Sequence, residues 1–132
     1  MARLEHVNVT AADPDARALL CRLFDWRVRW SGKGMQTGRT VHVGEHVGEH
    51  VGEKGSYVAL FSFGNPGESP SESYRTKAGL NHIAVVVEDL EATGQRVKSA
   101  GYVTENHADY EPGRRFYFTG QNGIESEVVA YS

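Results

Sequence analysis

The chain has 132 residues, one cysteine and a formal net charge of −3, a size that supports one folded domain with its own core. Acidic and basic residues are interspersed without a long run of either sign, which leaves no electrostatic footprint for nucleic acid or an anionic membrane. The longest apolar runs are far too short to span a bilayer and the N-terminus lacks a basic–apolar–small pattern, so the sequence predicts a soluble, cytoplasmic protein.

Val7 and Val9 alternate with polar residues, as in a half-buried strand. Asp13 to Phe24 carries Ala16, Leu19, Leu20, Leu23 and Phe24 at helical spacing, with Asp13 as N-cap and Pro14 in the first turn. Cys21 lies in that apolar stretch and reads as a buried, inert thiol. Short strands are predicted over Trp26 to Trp30, Arg39 to Val43 and Tyr57 to Phe63. Residues 64–79, rich in Gly, Pro, Ser and charge, read as a surface linker. The pattern then repeats. Ile83 to Val87 is continuously apolar, which predicts a strand covered on both faces. Leu90 to Ala100 has helical spacing, with Gly101 as the stop. Tyr102 to Thr104, Arg115 to Thr119 and Ile124 to Tyr131 are predicted strands, and "ENHADYEPG", which holds His107, reads as a loop. The order is β-α-β-β-β, linker, β-α-β-β-β, within one domain over residues 1–132: module one about 3–63, module two about 80–131.

Both halves open with Leu-x-His. Aligning His6 with His82 gives an offset of 82 − 6 = 76, whereas aligning Gly55 with Gly123 gives 123 − 55 = 68. The first half is therefore longer by 8 residues, the length of two copies of the HVGE segment that occurs three times from His42 to Glu53. His42, His46 and His50 look like a metal motif. On a strand, however, four residues span about 13 Å, too far for one ion. On a helix, Gly44, Gly48 and Gly52 would each cost about 1 kcal/mol against alanine. The repeat is predicted to be a protruding, mobile hairpin loop of which only one copy serves the fold.

The two β-α-β-β-β modules, the two Leu-x-His openings and the ending "GRRFYFTGQNGIESEVVAYS" resemble the vicinal oxygen chelate superfamily, the glyoxalase, bleomycin-resistance and extradiol-dioxygenase group. The resemblance runs from Leu4 to Tyr131 and implies an α+β fold in which two βαβββ modules form a curled mixed-sheet cup. Gly120-Gln121-Asn122-Gly123 stands where the family commonly has D-P-D-G. Carried onto this chain, the family's metal-ligand positions fall on His6, Ala59, His82 and Glu127. Ala59 cannot ligate, so the resemblance implies a three-ligand site of His6, His82 and Glu127. Two imidazoles and one carboxylate form the facial triad of non-haem iron. Fe2+ is the favoured ion, with Mn2+, Zn2+ and Ni2+ as alternatives. Glu125, on the same strand face as Glu127, is the rival carboxylate.

Tyr117 is a candidate hydrogen-bond donor or acid beside the metal, and His107 a candidate base entering the cup. Arg115 reads as outward and solvated, with anion binding as its alternative role. The implied partner is a small vicinally oxygenated substrate, and the resemblance also implies a homodimer. Two functions stay open: a metal-dependent enzyme of extradiol-dioxygenase, lyase or isomerase type, or a non-catalytic protein that sequesters a small molecule.

Overall fold

The computed structural model describes residues 2–45, 55–68, 72–110 and 113–131. The chain divides into two compact units, Met1–Gly67 and Glu68–Ser132. Each unit is one βαβββ module with a four-stranded mixed sheet.

The first unit holds β1 (His6–Thr10), α1 (Ala18–Phe24), β2 (Arg27–Lys33), β3 (Arg39–Gly44) and β4 (Tyr57–Ser62), in the sheet order β1-β4-β3-β2. The β1–β4 pair is parallel and the others antiparallel. The register aligns Val9 and Val41 with Leu60, and Val43 with Val58. These residues and Leu19, Leu20 and Leu23 of α1 are all buried. Burial of each such side chain is worth about 1.5–3 kcal/mol, which makes this layer the main source of the unit's stability. The helix starts later than its apolar stripe suggests. The Asp13 carboxylate accepts from the Asp15 amide at 3.0 Å, a local turn that competes with capping. The first helical residue is therefore Ala18, preceded by Arg17 with no side-chain cap. Cys21 is half-buried, and burial pushes its thiol up, away from the reactive thiolate.

The second unit holds β5 (Ile83–Val86), α2 (Leu90–Ser99), β6 (Glu105–Tyr110), β7 (Gly113–Thr119) and β8 (Glu125–Ala130), in the order β5-β8-β7-β6. Asp89 caps α2 by accepting from the Ala92 amide at 2.9 Å. The helix ends where predicted: Gly101 is left-handed at φ 93°, and the Tyr102 and Gly101 amides bond back to the carbonyls of Val97 and Lys98, a Schellman stop. Leu90 and Val97 of α2 are buried, as are Phe116, Phe118 and Val128 of the sheet, and α2 packs on β7 and β8. Gly94 has a different status. It costs an interior helix about 1 kcal/mol against alanine, yet an added Cβ would meet only the Phe116 ring at 3.6 Å, an ordinary contact.

Two strand predictions are corrected. The strand after α2 is Glu105–Tyr110, not Tyr102–Thr104. "ENHADY" is a polar edge strand without apolar alternation, so periodicity misses it. Strand β5 is covered on one face only: Ile83 and Val85 are buried, whereas Val86 is 63% exposed.

The registers sharpen the comparison of the repeats. His42 faces Ala59, and Tyr117 faces Glu127. The step from β3 to β4 is 59 − 42 = 17 residues against 127 − 117 = 10 from β7 to β8, so 7 of the 8 extra residues belong to the β3–β4 connection. The first HVGE copy is structural: His42, Val43 and Gly44 end β3, and the Glu45 carboxylate accepts from the Ser56 amide at 2.8 Å. A side chain at position 44 would collide with the backbone of Ser56 and Tyr57, which explains the glycine. His46, His50 and the predicted mobile loop lie outside the described residues.

Candidate functional site

Strand alternation divides the second sheet into two chemistries. Phe116, Phe118, Ser126 and Val128 face α2; Arg115, Tyr117, Glu125 and Glu127 face away from it. Glu127 is only 7% exposed. An isolated carboxylate there would cost several kcal/mol, so its partners decide whether the site is tolerable. Arg115 Nη1 donates to Oε1 at 3.0 Å, the Tyr117 hydroxyl donates to Oε2 at 3.0 Å, and His82 Nε2 lies 3.0 Å from Oε2. Among the described residues no buried side-chain nitrogen or oxygen lacks a partner.

Arg115 is not the solvated residue predicted. Its side chain is 12% exposed, and Nε and Nη2 also reach the Gly113 carbonyl at 3.4 and 3.3 Å. The guanidinium folds along its own strand and lies against the carboxylate beside it. The alternation of β7 contains the signal, since Arg115 and Tyr117 share a face, but charge alone points outward.

The remaining partner comes from the segment read as a linker. Ser73–Arg75 forms one tight turn, steadied by the Thr76 hydroxyl donating to the Glu72 carbonyl at 2.7 Å. The turn carries Tyr74, whose hydroxyl lies 3.0 Å from His82 Nδ1 and donates to Glu125 Oε1 at 2.5 Å. A phenol has one proton. With that proton directed to Glu125, the Tyr74 oxygen accepts from His82 Nδ1–H. The bond to Glu125 is the chief cause that pushes the Tyr74 pKa up to about 12, so the hydroxyl stays protonated. His82 thereby presents Nε2 to Glu127. An imidazole lone pair and a carboxylate oxygen do not attract, so their contact needs a positive centre: a proton or a metal ion.

The separation fits a metal. Ligands 2.0–2.2 Å from an ion and at right angles to each other lie about 3 Å apart, and the Nε2–Oε2 distance is 3.0 Å. Metal-bound histidine characteristically donates its other ring N–H to an outer partner, the part Tyr74 takes here. The opposing observation is Arg115, a fixed positive charge on the same carboxylate. Among the described residues of either unit, no group of three or more His, Cys, Asp and Glu is arranged to hold a metal ion. His82 and Glu127 are thus a two-ligand set within their unit.

In the first unit, the matching face carries His6, His42 and Tyr57. The Tyr57 ring stacks with His6 at 4.8 Å and with His42 at 4.5 Å between centroids. His6 Nδ1 lies 2.8 Å from Glu5 Oε1, which also accepts from the Tyr57 hydroxyl at 3.2 Å. Ala59 is buried opposite His42. His42 is held below the ordinary imidazole value, first by burial, then by the charges of His6 and Arg29.

His107 belongs to neither cluster. A bulge between Glu105 and Ala108, with Asn106 left-handed at φ 52°, sets the register of β6. His107 lies on the helix side, its ring stacked on Phe116 at 5.7 Å and its Nε2 3.0 Å from the Thr104 hydroxyl. It lines a cavity of about 390 Å³ between α2 and strands β6 and β7.

A family profile described as Glyoxalase/Bleomycin resistance protein/Dioxygenase superfamily matches residues 3–128. No curated protein sequence matches. Three solved structures illustrate the likeness. A glyoxylase/bleomycin resistance protein/dioxygenase domain from Frankia sp. EAN1pec superposes with TM-score 0.77 at 20% identity, covering 100% of this chain and 93% of that one. The fosfomycin resistance protein FosX from Listeria monocytogenes, solved with Mn(II) and sulfate, gives 0.68 at 19% identity, with 100% and 94% covered. TnmS3, an antibiotic-binding protein from Streptomyces sp. CB03234, gives 0.71 at 13% identity, with 100% and 98% covered. At these identities the structures speak for the fold.

Proposed function

The chain belongs to the Glyoxalase/Bleomycin resistance protein/Dioxygenase superfamily, and from that premise we propose that it is a divalent-metal-dependent enzyme acting on a small molecule with two neighbouring oxygens. The observation that carries this reading is the 3.0 Å approach of His82 Nε2 to Glu127 Oε2, with Nδ1 engaged by Tyr74. His82 and Glu127 are the proposed ligands within the second unit. A divalent ion held by this imidazole and carboxylate would act as a Lewis acid on the substrate's oxygens. Fe2+ suits that ligand set, and Mn2+, Zn2+ and Ni2+ are alternatives within it. Tyr74 holds the histidine's orientation. Arg115 occupies Oε1 and so leaves Oε2 as the ligating oxygen. Tyr117, on that same oxygen, is the proposed donor to a substrate oxygen.

The test is metal content after anaerobic loading with Fe(II) or Mn(II), read by elemental analysis. Wild type should hold one ion per chain, and His82→Ala and Glu127→Gln should lose it. Equal occupancy in wild type and His82→Ala would overturn the proposal.

One observation favours a second reading, a protein that binds a small molecule without catalysis. Arg115 and Tyr117 already donate to the two oxygens of Glu127, and Ala59 removes the ligand position of the first repeat. Turnover of a catechol that Glu127→Gln abolishes would exclude this alternative.

A further inference from the structure

The cavity lies on the helix side of the second sheet and shares one lining residue, Arg115, with the Glu127 cluster. Its floor and walls come from Phe116 and His107 on the strands and from Gly94, Gln95 and Lys98 on α2. A volume of about 390 Å³ falls in the range of small-molecule sites. The His107 ring and the Phe116 ring stack together on one side of it.

Two features give the cavity a chemistry. The first is Gly94. Its backbone is ordinary right-handed helix, and the space beside it accepts a methyl group without a clash. Neither conformation nor packing calls for glycine there. Its effect is to leave the helix wall without a side chain where the cavity meets Phe116. The second is charge. Glu91 is bonded to Arg114, and Asp109 lies in the field of that same arginine. Arg114 can offset only one of these two acids; the lining as a whole sets three cations, Lys98, Arg114 and Arg115, against two acids, Glu91 and Asp109. Arg114 and Arg115 are engaged by Glu91 and Glu127, and among the described residues Lys98 has no ion pair and stands at the rim.

We propose that this cavity is a second ligand site, for a small aromatic anion whose ring lies along Gly94 against His107 and Phe116 and whose acidic group meets Lys98. The site is independent of the metal-dependent reading above, and its failure would leave that reading untouched.

The probe is 1-anilinonaphthalene-8-sulfonate, an aromatic sulfonate, added to the full chain and followed by fluorescence and by amide chemical-shift mapping. One saturable site is expected, with shifts concentrated at Gly94, Gln95, Lys98 and His107. Lys98→Glu should weaken binding at least fivefold. Gly94→Leu, which fills the cavity, should abolish it, and Gly94→Ala should weaken it while raising Tm. If Gly94→Leu fails to fold, the exposed Lys98→Glu still decides the matter. Unchanged affinity in Lys98→Glu, or shifts concentrated on the Glu127 face of β7 and β8, would overturn the proposal.

Discussion

The two units place different chemistry on one frame. Strand registers make His6 equivalent to His82, His42 to Tyr117, Tyr57 to Glu125 and Ala59 to Glu127. The first unit fills these positions with stacked rings, half exposed and satisfied by one surface carboxylate, Glu5. The second fills them with a buried carboxylate that accepts from Arg115 and Tyr117 and has His82 Nε2 3.0 Å away. A βαβββ module therefore does not impose a function on these positions. The decisive difference is one residue, Ala59 against Glu127: a methyl group asks nothing of its neighbours, whereas a buried carboxylate organises Arg115, Tyr117 and His82 around itself.

The comparison is broken most directly by removing that carboxylate. Glu127→Ala leaves the Arg115 guanidinium, 12% exposed, without its ion partner. Removing one member of a buried pair costs about 3–5 kcal/mol, because the survivor stays desolvated. His6→Ala deletes an exposed contact with Glu5 and the ring contacts with Tyr57 and His42, which at an exposed position contribute much less. Urea unfolding of the two variants should show that asymmetry. Equal losses would mean that the two clusters are energetically alike and that the buried carboxylate does not organise its sheet.

The same contrast explains what could be read without coordinates. Both helices follow from apolar spacing around Leu19, Leu20, Leu23, Leu90 and Val97, because burial is a strong and periodic signal, and the repeat offset follows from the matched Leu-x-His and glycine positions. His82 and Glu127 came from the family resemblance, carried onto the matching positions of the repeat. Tyr74, Arg115 and β6 were missed for separate physical reasons. Tyr74 acts from a Ser- and Gly-rich stretch that looks like solvent-facing linker, and no spacing links it to His82. Arg115 carries a charge, and only contact with a buried acid brings a charge inward. The strand β6 is polar on an edge, where no hydrophobic face is required. Of the three conspicuous HVGE histidines, His42 lies on β3, and His46 and His50 lie outside the described residues.

A smaller effect is expected at Tyr74, which has no counterpart in the first unit's stack. It is 60% exposed, so Tyr74→Phe should cost under about 1 kcal/mol in stability. Its hydrogen bond to His82 should matter more for metal, since outer partners of a ligating histidine are worth about 10–100-fold in affinity. Phenylalanine keeps the ring and removes both bonds, so weaker metal binding with unchanged stability would identify an orienting role. In the wild type, ultraviolet titration should show one tyrosine ionising near 12, and Glu125→Gln should bring it down, because the bond to Glu125 is the chief cause of the shift. A titration unmoved by that change would remove Glu125 as the acceptor of the Tyr74 proton, and with it the orientation of His82.

The smallest effect belongs to His42, the first unit's counterpart of Tyr117. Burial, followed by the charges of His6 and Arg29, holds its folded pKa below the unfolded value of 6.5. Between those two values the unfolded chain binds more protons than the folded one. Stability is therefore greatest above pH 6.5, falls as the pH drops through the folded pKa, and levels off below it. His42→Gln keeps a polar side chain beside Tyr57 and cannot take up that proton. The stability of wild type relative to His42→Gln should thus decline from pH 7.5 to pH 5, measured by urea unfolding at each pH. A difference that stays flat, or rises on acidification, would mean that His42 meets a carboxylate in its own unit. The first cluster would then be charged like the second, and the contrast between stacked rings and an ionic network would fail at the position where the two sheets are most directly comparable.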